Sequence, residues 1–340
     1  MPSRLIVVGL VAATLGCNSA PENEQTATGD RPTLGFVTNG IADFWVIAEK
    51  GAKDGGQEFD ADVEVRMPPS GVADQKRMVE DLLARGVDGI AISPIDPDNQ
   101  GILLDEIARH TTLITHDSDA PDSPRLCYVG MDNYVAGRMC GKLVTQAIPD
   151  GGNVMIFVGR LAQANAKLRR QGVIDELLDR SDDASRYDNP DAGRLDGQLY
   201  SVLDTRTDEF DFPKAKAQAQ EAITRFPDLD CMVGLFAYNP PLILEAVREA
   251  RKLEEIAIVG FDEDAATLQG IVDGEIFGTV VQNPYRYGFE SVRILAALAR
   301  GDEGVLPGGD YLDIPARSIT RDNVETFRDE LEKLVAKDSQ

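Results

Sequence analysis

The chain has 340 residues, 58 of them acidic against 34 basic, giving a formal net charge of −24 at pH 7. That balance opposes binding to nucleic acid or to an anionic lipid surface, and no local basic patch offsets it. Two histidines, His110 and His116, and four cysteines without a CxxC pair are too few soft ligands for a zinc site of the usual kind, so no metal is expected.

The first element is a leader. Met-Pro-Ser-Arg precedes the apolar run LIVVGLVAATLG (5–16) and then Cys17. An early positive charge, an apolar core of about a dozen residues and a small residue at the break describe a secretory signal over 1–16, too short to span a bilayer. Gly16 directly before Cys17 resembles a bacterial lipoprotein signal, in which the cysteine becomes the lipidated N-terminus. An ordinary cleaved signal with an incidental cysteine is the other reading. Residues 17–32 are polar and short of large apolar side chains, the composition of a flexible tether. These features predict an exported protein of the periplasm or cell envelope, touching the membrane only through an N-terminal lipid.

The remaining 324 residues, 340 less 16, exceed what one hydrophobic core usually organises, so two lobes are expected. Helical periodicity appears at about 43–58, 72–85, 97–109, 132–147, 163–179, 212–225, 238–251, 263–272 and 283–299. Short apolar runs lie between, among them TLGFV (33–37), GIAI (89–92), TLITH (112–116), VMIFV (154–158), CMVG (231–234), AIVGF (257–261) and GTVV (278–281). Buried strands alternating with amphipathic helices predict doubly wound parallel sheets, whose ligands sit beyond the carboxyl ends of the strands. SDDASRYDNPDAGRLDG (181–197) reads as a surface excursion before a strand near 198–203. After about residue 300 come a loop (301–309), the extended run YLDIPARSIT (311–320), and a polar helical tail over 322–340 that frays into solvent. Cys127 on a strand and Cys140 on the next helix leave two readings open, a disulfide or two buried thiols.

The strand-end residues suit a polyhydroxylated ligand. A sugar ring has apolar C–H faces and an equator of hydroxyls that donate and accept. Phe44 and Trp45 offer stacking faces, although aromatics at a helix entry also staple cores. Asp117 and Asp262 offer acceptors for hydroxyl protons, although Asp after a strand also caps helices. Asn239 and Gln282 add donors and acceptors without a charge to desolvate.

FVTNGIADFW (36–45), GIAISPIDPD (89–98), LITHDSD (113–119), VGMDNYVAG (129–137), KLRRQGV (167–173), GLFAYNP (234–240), VGFDED (259–264) and VQNPYRYG (281–288) stand in the order and spacing of one family. Over about 33–325 the chain resembles the ribose-type periplasmic sugar-binding proteins of ABC transporters. The resemblance implies two α/β lobes of Rossmann-like topology joined by three crossovers, near 130–132, 260–263 and 280–283. Residues 33–130 with 283–310 would form the N-terminal lobe, and 131–282 with 311–321 the C-terminal lobe. It implies a site of Thr38, Phe44, Trp45, Ser93, Asp117, Arg169, Phe210 (or Phe212), Asn239, Asp262 and Gln282, with Arg170 a solvated helix-face charge and Asn283 and Pro284 structural. Ligand-gated lobe closure and delivery by a monomer to a permease would follow, with no cofactor. Where the family carries an asparagine before the aromatic pair this chain has Ala42-Asp43; Ser93 replaces a common asparagine; and Ser118 stands where many relatives have an arginine. The sugar therefore need not be ribose.

Three other roles fit parts of the pattern. A sugar-responsive repressor shares the fold but needs a helix-turn-helix and a basic face, and a secretory signal stands there instead. A glycoside-acting enzyme could use Asp117 and Asp262 as acid and base, but no Gly-x-Ser-x-Gly, His-Glu-x-x-His, phosphate loop or dinucleotide Gly-x-Gly-x-x-Gly is present. A ligand-binding partner of a membrane sensor reads out the same closed state and is indistinguishable by sequence.

Overall fold

The computed structural model describes residues 31–335, together with Met1. The expected signal, Cys17 and the tether up to residue 30 lie outside the described residues. The first lobe begins with β1 (Thr33–Val37), α1 (Asp43–Glu58), β2 (Asp62–Arg66), α2 (Val72–Ala84), β3 (Gly89–Ile92), α3 (Gly101–His110), β4 (Thr112–His116) and β5 (Tyr128–Gly130). The second comprises α4 (Asn133–Ala147), β6 (Gly152–Val158), α5 (Ala164–Leu177), β7 (Leu195–Asp196), β8 (Tyr200–Thr207), α6 (Phe212–Arg225), β9 (Leu229–Gly234), α7 (Asn239–Ala250), β10 (Ala257–Phe261), α8 (Ala265–Asp273) and β11 (Gly278–Val281). The chain then runs through α9 (Pro284–Ala299), β12 (Tyr311–Asp313), β13 (Arg317–Thr320) and α10 (Val324–Val335).

One sheet has the order β12-β5-β4-β3-β1-β2 and the other β13-β11-β10-β9-β6-β8-β7. The first is parallel throughout; in the second, only the edge strands β7 and β13 run antiparallel to their neighbours. Both contain the same doubly wound order, β2-β1-β3-β4-β5 and β8-β6-β9-β10-β11, whose reversal points lie between β1 and β3 and between β6 and β9. β3 and β11 are buried at every residue because helices cover both faces, which is why they read as unbroken apolar runs. Each lobe accordingly carries two core clusters.

Glycines close the helix pair at each hinge-facing edge. A Cβ on Gly51 of α1 would collide with the Tyr285 carbonyl oxygen, and one on Gly288 of α9 with that of Ala48. In the second lobe Gly137 of α4 meets the Arg169 carbonyl and Gly172 of α5 that of Tyr134. The second pair sets how close the helix bearing Arg169 lies to the hinge.

The lobe boundaries differ from expectation in two places. The chain stays in the second sheet through 260–263, because β10, α8 and β11 form a βαβ unit with Val259 beside Gly278. The third crossing is at Pro315. Tyr311–Asp313 extends the first sheet in register with Tyr128–Gly130, and Ile314 packs in that lobe's core while Ala316 packs in the other's. Residues 311–313 thus belong to the N-terminal lobe, the continuous extended run having masked a change of sheet. The chain also passes between the sheets at Met131–Asp132, between β5 and α4, and at Gln282–Asn283, between β11 and α9. Nor is the tail frayed along its described length: Val324 and Phe327 are buried in the second lobe's core, with Leu331 against it. Cys127 and Cys140 are free thiols in the cores of different lobes, so no disulfide joins them. Burial pushes their thiols up, to about 11 and about 12, so they behave as small apolar residues.

Candidate functional site

Between the lobes lies a cleft of about 550 Å³, at the carboxyl ends of the strands, where doubly wound sheets bind ligands. The chain leaves β4 into Asp117 and β10 into Asp262, both with left-handed backbone, φ 57° and 67°. The two turns are built alike. Asp117 N–H donates to Val129 O and Asp262 N–H to Val280 O, each on the adjacent strand. Their own carbonyls accept from Tyr128 Oη and Thr279 Oγ1, both 2.9 Å. Left-handed backbone is uncommon outside glycine but tolerated by Asp, and these bonds hold it. Neither residue caps a helix: α8 is capped by Asp264.

Asp117 is the hub. Its Oδ2 accepts from Asn39 Nδ2 (3.1 Å), Ser93 Oγ (3.0 Å) and Asn165 Nδ2 (3.4 Å). Burial pushes its carboxyl up to about 6, against the lowering influence of Arg169 and Ser93. Arg169 is 1% exposed. Its Nε donates to Asn133 Oδ1 at 2.9 Å, its Nη1 to Leu235 O at 3.2 Å, and its Cζ lies over the Phe261 ring, 4.3 Å from the centroid. Nη2 has no hydrogen-bond partner among the described residues and stands 3.8 Å from Asp117 Oδ1. On the far side, Asp262 Oδ1 accepts from Gln282 Nε2 at 2.6 Å, and Gln282 Oε1 accepts from Tyr287 Oη at 3.1 Å. Burial raises the Asp262 carboxyl as well.

Aromatic rings wall the cleft. Phe44 and Trp45 meet edge to face, centroids 4.7 Å apart, on the first lobe. Phe210, Phe212, Phe236 and Tyr238 line the second. Buried Asp208 organises that wall: it accepts from Tyr238 Oη, from Phe210 N (2.9 Å) and from Asn239 Nδ2 (3.1 Å).

Of the ten expected site residues, Phe44, Trp45, Asp117, Arg169, Phe210, Asp262 and Gln282 line the cleft, and Phe212 lines it beside Phe210. Three do not line it. Thr38 bonds Gly40 O through its hydroxyl; Ser93 lies beneath Asp117; and Asn239 spends its amide on Asp208 and the Phe236 N–H. The last is a property of the tight turn before α7, where the polar residue folds back on its own loop. Arg170 is buried rather than solvated, holding Thr205 Oγ1 and Asp188 O, and so ties down the 181–197 excursion. Asn283 and Pro284 start α9 as cap and first residue, the structural role expected of them. Asn39, Asn165, Arg160, Phe236, Tyr238 and Glu263 also line the cleft. Asn39, Phe236, Tyr238 and Glu263 each lie within three residues of one that was singled out, so strand-end position carried the signal but not the register.

The family model for the periplasmic binding protein domain matches residues 34–303. The chain is similar to the ribose import binding protein RbsB of Salmonella typhimurium, 22% identical over 264 residues, covering 76% of this chain and 82% of the relative. It is similar to the xylitol-binding protein of Mycolicibacterium smegmatis, 24% identical over 330 residues, covering 94% of this chain and 86% of that one. The solved structure of an ABC transporter solute binding protein from Burkholderia graminis, in complex with D-arabinose, superimposes with a TM-score of 0.77 at 24% identity, over 86% of this chain and 96% of that one. With the family model spanning well over half its length, the chain belongs to the periplasmic binding protein family.

Proposed function

We propose that this chain captures a monosaccharide or a related polyol by closing its lobes, and delivers it to the permease of an ABC transporter. The observation that carries the reading is the Asp117 hub: donors from both lobes, Asn39 and Asn165, converge on one carboxylate between two aromatic walls. A hydroxyl equator satisfies fixed carboxylates, amides and a guanidinium, while C–H faces lie on rings. The names of the relatives, binding proteins for ribose, xylitol and D-arabinose, support the same class. A ligand touching both lobes raises the closed population by its differential affinity for that state. The role is binding rather than catalysis, since Asp117 and Asp262 are already engaged by fixed donors. The leader fits export to the cell envelope with Cys17 acylated; radiolabelled palmitate incorporation lost in Cys17→Ser tests that part.

The test of the main reading is a thermal-shift screen against neutral pentoses, hexoses, deoxy sugars and polyols. A ligand that binds only the native state raises the unfolding midpoint. A hit that also compacts the protein in small-angle scattering supports closure; a flat panel rejects a neutral sugar or polyol as the ligand.

A further inference from the structure

The cleft is far more acidic than recognition of a neutral sugar requires. Asp43, Asp117, Glu209, Asp262, Glu263 and Asp264 line it, against only Arg160 and Arg169. Arg160 is matched by Glu209 at 2.9 Å, and Arg169 stands beside Asp117. Asp262 is served by Gln282, and Asp264 caps α8. Glu263 differs from all of these. It is 7% exposed, and neither carboxyl oxygen has a hydrogen-bond partner among the described residues.

A buried carboxylate without donors is strongly disfavoured unless something else brings them. An ammonium brings three donors and the opposite charge, and the cleft-lining rings of Trp45 and Tyr238 are of the kind that attracts cations, as Phe210 and Phe236 already do for Arg160 and Arg169. We propose that the ligand is a cationic polyol, a monosaccharide bearing a protonated amine, and that Glu263 is the residue that selects the amine. This deepens the capture reading and rests on it. In the ligand-free protein, burial and the adjacent Asp262 push the Glu263 carboxyl well above the ordinary range, and a bound cation would oppose that push. The same excess of carboxylates disfavours sugar phosphates and uronic acids, whose anions meet six acidic side chains against two arginines, each already beside a carboxylate.

The experiment is calorimetric titration of the purified protein with matched pairs: glucosamine and glucose, galactosamine and galactose, mannosamine and mannose. At least one amine should bind about tenfold or more tightly than its hydroxyl counterpart. Glu263→Gln, which keeps the shape, should abolish that preference, so that the amine binds no more tightly than its hydroxyl counterpart. Should the variant fail to fold, N-acetylation of the preferred amine, which removes its charge, should abolish the preference on the wild-type protein. Equal or tighter binding of the neutral sugars, or a preference that survives in Glu263→Gln, overturns the inference while leaving sugar capture standing. If neither members of these pairs nor any neutral pentose or polyol binds, sugar capture itself fails and the inference with it.

Discussion

The guanidinium of Arg169, on the second lobe, lies 3.8 Å from the carboxylate of Asp117, on the first, with both side chains almost wholly buried. Asn165 reaches the same carboxylate from the same lobe. Opening must part these groups, and a ligand inserted between them must replace what each offered the other.

Removal of either cleft aspartate should therefore weaken ligand binding more than a surface contact would. Asp117→Ala and Asp262→Ala are each expected to lose about 2–4 kcal/mol of binding free energy, because the donors that faced them are left buried and unpaired. Calorimetry on a ligand identified by screening checks this. Near-normal affinity in both would remove these residues from the site.

The titration of Asp117 predicts a pH signature. Its folded carboxyl sits at about 6 against an ordinary 3.8, so between those values the folded state binds more protons than the unfolded one. Its contribution is thus favourable below about pH 4 and is lost as pH rises through 6. Buried His116 works in the opposite sense: burial lowers it to about 3, from an ordinary 6.5, so stability falls as pH falls through that window. The wild-type profile mixes the two, and Asp117→Asn isolates one. Relative to wild type, the ligand-free variant should gain about 3 kcal/mol of stability between pH 4 and 7, measured by denaturant unfolding at each pH. A difference that is flat with pH would contradict the raised carboxyl. Sugar affinity of the wild type should fall below pH 6, since hydroxyls donate to the ionised form.

Two cleft aromatics should separate binding from folding. Trp45 lines the cleft but is also 4% exposed within the first lobe's core, edge-on to His116. Trp45→Ala should cost about 3–5 kcal/mol of stability as well as affinity. Phe210, partly exposed on a left-handed turn outside the core clusters, should lose affinity on truncation with little change in the unfolding midpoint. Trp45 is the chain's single tryptophan, so its emission should change on ligand binding and serve as the readout.

Gly172 makes a prediction at a distance from the ligand. A methyl there collides with the Tyr134 carbonyl and must push α5 from α4. Gly172→Ala should lower stability by about 1–3 kcal/mol and, by displacing Arg169 three residues earlier, also lower affinity. Unchanged affinity would show that α5 absorbs the strain without moving the guanidinium.

Much of this molecule was legible in its sequence because doubly wound sheets announce themselves. Strands buried on both faces are uninterrupted apolar runs, and the residue after each is placed at the ligand edge. That logic located Asp117, Asp262 and Gln282. It failed where orientation within a turn decides the outcome: Thr38 and Asn39 are adjacent, yet only Asn39 reaches Asp117, and the YNP turn aims Tyr238 at the cleft while folding Asn239 back onto Asp208. The change of sheet at Pro315 was hidden for a related reason, since extended chain reads the same whichever sheet it joins. Glu263 sits beside the strand-end Asp262, yet its own role was hidden, because an acid in an Asp-Glu-Asp run reads as surface until its burial is known.

The most direct test of the central claim is titration of the wild-type protein and an Asp117→Ala, Asp262→Ala double variant with neutral sugars, hexosamines and polyols, followed by calorimetry and small-angle scattering. The account predicts saturable binding of one sugar class with compaction of the wild type, and neither effect in the double variant. Binding that survives loss of both carboxylates, or a sugar that binds without drawing the lobes together, would contradict it.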